Sequence, residues 1–137
     1  MKNVYLAAPL FSDAECEFNS RLRDEIEEIG LVVFLPQEHS NDTKDERYRQ
    51  ENIFSKNRDA IDGADLMVAV LDGVDVDSGT AWEIGYAYAR GLPVYGLRTD
   101  FRTLGIEGTV NLMIERSVLM CVGVRELVER LGSTYKD

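Results

Sequence analysis

Apolar and polar positions fall into blocks of two lengths along this chain. Short, nearly unbroken apolar runs recur at residues 3–8 (NVYLAA), 31–35 (LVVFL), 66–71 (LMVAVL), 94–97 (VYGL) and 117–122 (SVLMCV). Runs of this length, bounded by Asp, Gly or Pro, are the pattern of strands covered on both faces. Longer polar stretches with apolar residues at helical spacing lie between them. Phe18, Leu22, Ile26 and Ile29 recur at three and four behind a Ser12-x-x-Glu15 capping box, and Gly30 closes that helix. Residues 45–63 read as a second helix with a looser apolar face (Tyr48, Ile53, Phe54, Ile61), and 80–90 as a third. A short helix is expected over 110–115, and a last one over 124–131, ended by Gly132. Residues 37–44 and 98–108 carry loop signals, and the tail from Ser133 is either unstructured or docked elsewhere.

Five strands alternating with helices predict an α/β fold: a three-layer, doubly wound, five-stranded parallel sheet of flavodoxin-like type with right-handed crossovers. The 137 residues fit one domain spanning 1–137. Loops after the first three strands would then gather at one sheet edge, bringing residues 5–11, Gln37 and the 72–83 stretch within reach of each other.

Charge narrows the partners. A formal net charge of -10 argues against nucleic acid or an anionic membrane, since phosphate contacts need clustered Lys and Arg. Neither a signal peptide nor a bilayer-length apolar segment is evident, so a soluble, cytoplasmic protein is expected. Cys16 and Cys121 form no CxxC and fall within apolar-periodic elements, which suggests buried free thiols. The loop aspartates Asp72, Asp75 and Asp77 lack the spacing of a calcium loop, and a solvated acidic loop is favoured over a Mg²⁺ site, so no metal is expected. No GxGxxG follows the first strand and no GxxxxGK[ST] is present, so neither nucleotide-cofactor site is signalled. His39, the sole histidine, has no second His or paired Cys near it in sequence.

The stretch after the third strand holds the candidate chemistry. Glu83 would fall in the first turn of a helix starting near Thr80, close to the positive end of the helix dipole, which favours the ionised form. Two readings stand. Thr80-x-x-Glu83 is a capping box, with Glu83 serving only a backbone N–H. Alternatively, a carboxylate kept charged at the carboxyl edge of the sheet is suited to attack on an electrophilic carbon.

Three segments resemble the nucleoside 2-deoxyribosyltransferase family. Residues 77–87 (DSGTAWEIGYA) match its pattern of Asp, five residues, Glu, an apolar residue, Gly and Tyr-Ala. Residues 4–11 (VYLAAPLF) resemble its first strand and substrate loop, and Asn111-Leu112-Met113 its Asn-Leu-Met segment. The resemblance covers nearly the whole chain, and its motifs fall in the family's order.

It implies transfer of 2-deoxyribose between nucleobases by double displacement, without any cofactor. Glu83 would be the nucleophile, Tyr5 would orient Glu83 or the sugar, Phe11 would pack on the base, and Gln37 would hydrogen-bond near it. Asn111 would come from a partner chain, so a homo-oligomer is implied, with nucleosides and nucleobases as small-molecule partners. Asp77 would accept a hydrogen bond from a free 5'-hydroxyl and repel a 5'-phosphate. The related deoxynucleoside monophosphate hydrolases carry a serine there, and Ser12 and Ser78 remain hydroxyls able to cradle a phosphate. A departure sits at Asn57, where many of the transferases place an Asp that shuttles a proton to the leaving base. Asn57 can hydrogen-bond a base but cannot act as a general acid, and Asp59 lies two residues on. An N-glycosidase acting on a 2'-deoxynucleoside 5'-monophosphate is therefore the rival enzyme, and a non-catalytic nucleotide-sensing domain the third reading. Tyr135 is a further candidate to close the site, although it is not the last residue.

Overall fold

The computed structural model describes residues 1–39 and 46–135. Residues 40–44 of the polar stretch expected as a loop, the first residue of the expected second helix and the last two residues of the tail lie outside the described residues. In chain order the elements are β1 (Asn3–Ala7), α1 (Asp13–Glu28), β2 (Val32–Phe34), α2 (Glu46–Asp62), β3 (Leu66–Val70), α3 (Ser78–Ala89), β4 (Val94–Leu97), α4 (Leu112–Glu115), β5 (Leu119–Cys121) and α5 (Val124–Tyr135). The strands form one sheet in the order β2-β1-β3-β4-β5, and every neighbouring pair is parallel. This is the flavodoxin-like order expected from the sequence, with its reversal point at β1 and β3.

Side-chain alternation along the strands divides the core into two layers. Val4, Leu6, Leu66, Val68 and Val70 face α1 and α5, meeting Leu22, Ile26, Leu127 and Leu131. Tyr5, Ala7, Met67, Ala69 and Leu71 face α2 and α3, meeting Ile61, Ile84 and Ala87. All five residues of β3 are buried, as a central strand sandwiched by helices requires. At Gly96 in β4 a Cβ would lie 2.8 Å from Val118 and 2.9 Å from Leu71, so the sheet and its cover close to backbone distance there.

Strands β2 and β5 and helix α4 are one to two residues shorter at an end than the sequence pattern, and three further differences have a local reason. Residues Pro36–Glu38 wind into a single 3-10 turn, with Pro36 presetting the backbone. Helix α5 runs through Gly132 to Tyr135 instead of stopping. The cost of a helical glycine, about 1 kcal/mol, is met by docking of the last turn, where Tyr135 packs edge-on against Tyr95 of β4. Helix α3 begins at Ser78, two residues before the expected start, because Asp77 takes the cap. The capping box at Ser12 and Glu15 forms as expected, and Gly30 follows α1 at a φ of 95°. Both cysteines are free; Cys121 is buried and Cys16 half-buried. No helix among the described residues is long and apolar enough to cross a membrane.

Candidate active site

At the carboxyl ends of β1, β2 and β3 lies a cavity of about 510 Å³. Its walls are Ala8, Leu10 and Phe11 after β1, Pro36 after β2, Gln50, Ile53, Phe54, Asn57, Arg58 and Ile61 from α2, and Asp77, Ser78, Gly79, Trp82 and Glu83 around the start of α3. The wall is mostly apolar with a few polar groups, as small-molecule sites tend to be. The sheet-edge convergence read from the sequence is thus present.

Glu83 occupies this cavity in neither of the settings expected for it. The Asp77 Oδ2 accepts from the Thr80 backbone N–H at 3.0 Å and from its hydroxyl at 3.1 Å, so the cap belongs to Asp77 and the Thr80–Glu83 capping box does not form. Helix α3 therefore starts early enough to put Glu83 beyond the first turn, where the dipole has largely faded. Instead its Oε2 accepts a short hydrogen bond from the Tyr5 hydroxyl on the neighbouring strand. Burial raises the Glu83 carboxyl from 4.5 to about 7, the Tyr5 hydrogen bond lowers it, and the nearby Asp77 carboxylate adds to the rise. The expectation of a carboxylate held ionised by the helix dipole is overturned: desolvation outweighs the favourable donor. Tyr5 is fully buried, and its hydroxyl is pushed far up by burial, then by the charge and hydrogen bond of Glu83. It therefore stays a donor at any working pH. Behind it, Phe34 stacks on the Tyr5 ring at 5.6 Å and His39 on Phe34 at 4.3 Å, so His39 serves the packing under the site.

The remaining candidates divide. Phe11 stands at the cavity mouth, 78% exposed. Asn57 lines the cavity, whereas Asp59 is not among its lining residues and pairs with Arg58 at 3.2 Å. Gln37 is outside the lining. Its Nε2 donates to the Cys16 carbonyl and the Ser20 hydroxyl, and its Oε1 accepts from Asn19, tying the turn after β2 to α1. Asn111 caps α4 by accepting from the Met113 N–H at 2.9 Å and does not line this cavity within its own chain. Ser12 caps α1, while Ser78 is in the cavity wall. Tyr135 stands beside Met1, Lys2, Leu31 and Asp65, at the amino ends of the strands, across the sheet from Glu83. It does not close this cavity.

The loop aspartates also serve the backbone: Asp75 is exposed and Asp72 and Asp77 are half-buried. Asp72 accepts from the Thr99 N–H and hydroxyl and the Asp100 N–H, and Asp75 from the Val76 N–H. Among the described residues no group of three His, Cys, Asp or Glu side chains is placed to hold a metal ion.

Sequence reasoning missed the aromatic wall. Trp82 stacks on Tyr86 at 5.3 Å and meets Phe54 edge-on at 5.6 Å, with Arg58 over the Phe54 ring. Phe54 was legible only as part of α2's packing face, and Trp82 only as a variable position inside the motif. The i, i+4 spacing of Trp82 and Tyr86 was the available signal.

The fold is a doubly wound α/β domain, with a tyrosine-bonded glutamate at its switch point, and the comparisons agree on the fold. The family model "Nucleoside 2-deoxyribosyltransferase" matches residues 4–124, and the chain belongs to that family. Among solved structures, a conserved protein from Enterococcus faecalis V583 superposes with a TM-score of 0.82 at 28% identity, covering 97% of this chain and 98% of that one. A 2-deoxyribosyltransferase from Bacillus psychrosaccharolyticus gives 0.81 at 25% identity, covering 92% and 90%. A CMP N-glycosidase from Clostridium botulinum shares the fold more loosely, with 0.57 at 22% identity over 95% and 98%. A comparison with curated proteins returned no match.

Proposed function

We propose that this protein transfers 2-deoxyribose between nucleobases through a covalent ester on Glu83. The observation that carries the reading is the Tyr5–Glu83 pair at the base of an apolar, aromatic-walled cavity on the reversal point of the sheet. In the first half-reaction an ionised Glu83 oxygen attacks the anomeric carbon. The C1'–N bond breaks, its electron pair leaves with the base, and the base takes up a proton from solvent. In the second, a ring nitrogen of another base attacks the same carbon and gives up its N–H proton to solvent, the ester C–O bond breaks with its electron pair returning to Glu83, and the carboxylate is restored with net retention. The raised Glu83 carboxyl suits this cycle, because a weakly solvated carboxylate is a better nucleophile than one held by several donors.

Other residues take supporting roles in the same reading. Tyr5 holds the attacking carboxylate, Trp82, Phe54 and Phe11 sandwich the base, and Asn57 hydrogen-bonds it. Asp77 accepts from the 5'-hydroxyl. Asn111 is supplied by a second copy: it caps a short helix whose Leu112 and Met113 are 48% and 71% exposed, a tip suited to entering a neighbour.

The test is chromatography of the protein with deoxyinosine plus free adenine, beside deoxyinosine alone and deoxyinosine monophosphate alone. Deoxyadenosine formed only in the presence of the acceptor supports transfer, and Glu83→Ala should abolish it. Base released rapidly from the monophosphate, with no transfer, would replace this reading with an N-glycosidase.

A further inference from the structure

A buried arginine outside the cavity ties together the two loops that carry Asp77 and Asn111. Arg98 follows β4 directly and is only 4% exposed. Its Nη1 donates to the carbonyls of Leu71, at 2.5 Å, and Gly73, at 3.0 Å, which flank the exit of β3. Its Nη2 donates to the Arg102 carbonyl at 2.8 Å, on the segment that leads to Asn111. Its Nε is buried without a partner among the described residues. A permanently charged guanidinium is costly to bury, and here backbone carbonyls supply most of its compensation, with the Asp100 carboxylate 3.9 Å away.

The same two segments are laced a second time. Asp72 accepts from Thr99 and from the Asp100 N–H, while Asp100 accepts from the Gly73 N–H and is held by Arg102. From Gly73 the chain needs only Val74, Asp75 and the buried Val76 to reach Asp77, the cap of α3 and part of the cavity wall. Holding the Leu71 and Gly73 carbonyls therefore anchors the loop four residues before the Asp77 cap of α3.

We infer that Arg98 is a positioning residue: its forked donation to Leu71, Gly73 and Arg102 sets the Asp77 wall of the cavity relative to the Asn111 loop. Lysine cannot reproduce the fork, because it has one charged nitrogen where arginine has a rigid plane of donors. The kinetic part of this inference rests on the deoxyribosyl-transfer reading above; the structural part does not.

The test uses the full chain with Arg98→Lys and Arg98→Met, read by amide hydrogen exchange and by transfer kinetics. Exchange in peptides covering 72–80 and 98–103 should accelerate at least about tenfold in Arg98→Met, less in Arg98→Lys, with β1 and α1 unchanged. In transfer assays KM for the deoxynucleoside should rise about tenfold while kcat changes little. The preference for a 2'-deoxynucleoside over its 5'-deoxy analogue should shrink in parallel. Unchanged exchange in both loops overturns the inference, as does wild-type exchange already at the unprotected rate. A uniform rise across the whole chain also overturns it, since that marks a purely global stabiliser. If the wild type shows no transfer at all, the activity reading fails, and the exchange result still decides the role of Arg98.

Discussion

The Tyr5 hydroxyl donates to Glu83 Oε2 across the gap between β1 and α3, joining the first motif of the chain to the second. This bond lowers the Glu83 carboxyl against the stronger effect of burial, which sets it near 7. Activity that needs the ionised form should therefore rise with pH, with its midpoint near 7 in the free enzyme. Tyr5→Phe removes the lowering contribution, so the midpoint should move upward, and loss of a hydrogen bond to a charged group, about 1.5–3 kcal/mol, should cut kcat/KM about 10- to 100-fold. A pH–rate profile of both proteins checks the two effects together; a downward shift in Tyr5→Phe would refute the arrangement.

Glu83 also makes stability depend on pH. Its folded value near 7 lies above the ordinary 4.5, so the native state keeps a proton that the unfolded chain releases between those values. Stability is full below about 4.5 and falls as pH rises through 7. Glu83→Gln removes the penalty, so it should raise stability at pH 8.5 by about 3 kcal/mol and change little at pH 4.5. Thermal melts at the two pH values separate this from a general packing change.

Asp77 has two duties that one substitution can part. Asp77→Asn keeps a capping oxygen for the Thr80 N–H but removes the charge. Asp77→Ala loses both, at about 1 kcal/mol of helix stability. If the charge rejects a 5'-phosphate, both variants should bind deoxyinosine monophosphate more tightly than the wild type, while only Asp77→Ala melts earlier. Calorimetric titration and a melting curve give the two readouts.

Sharing of Asn111 between subunits predicts complementation. Glu83→Ala and Asn111→Ala should each be nearly inactive, and after subunit exchange their mixture should regain a fraction of wild-type turnover. No recovery, with exchange proven by mass spectrometry, would count against a shared site.

Packing makes a prediction independent of function. A methyl at Gly96 would meet Val118 at 2.8 Å and Leu71 at 2.9 Å, both in the core layer on the α2 and α3 side of the sheet. Gly96→Ala should destabilise by about 1–3 kcal/mol, the usual cost of overpacking. Denaturant unfolding measures it.

The fold was legible because strand blocks and helix blocks differ in length and because Ser12, Gly30 and Pro36 punctuate them. The position of Glu83 in the sequence was legible too, yet its electrostatics were not. Whether a helix begins at Asp77 or Thr80 depends on which side chain reaches which N–H, and burial depends on residues far along the chain, such as Tyr5. Gln37 illustrates the same limit. The pattern places it at the correct edge of the sheet, but the competing donors and acceptors of Asn19, Cys16 and Ser20 turn its amide toward α1. Arg98 gave no signal at all, since one arginine after a strand reads as solvated until its carbonyl partners are seen.

Trp82 is the sole tryptophan of the chain, and it stands half-exposed on the cavity wall, stacked on Tyr86. All indole emission from the protein consequently originates at the candidate site. An occupant that stacks on that ring would quench or shift the emission directly, so the molecule carries its own unlabelled fluorescent gauge of occupancy, usable even with variants that have lost all turnover.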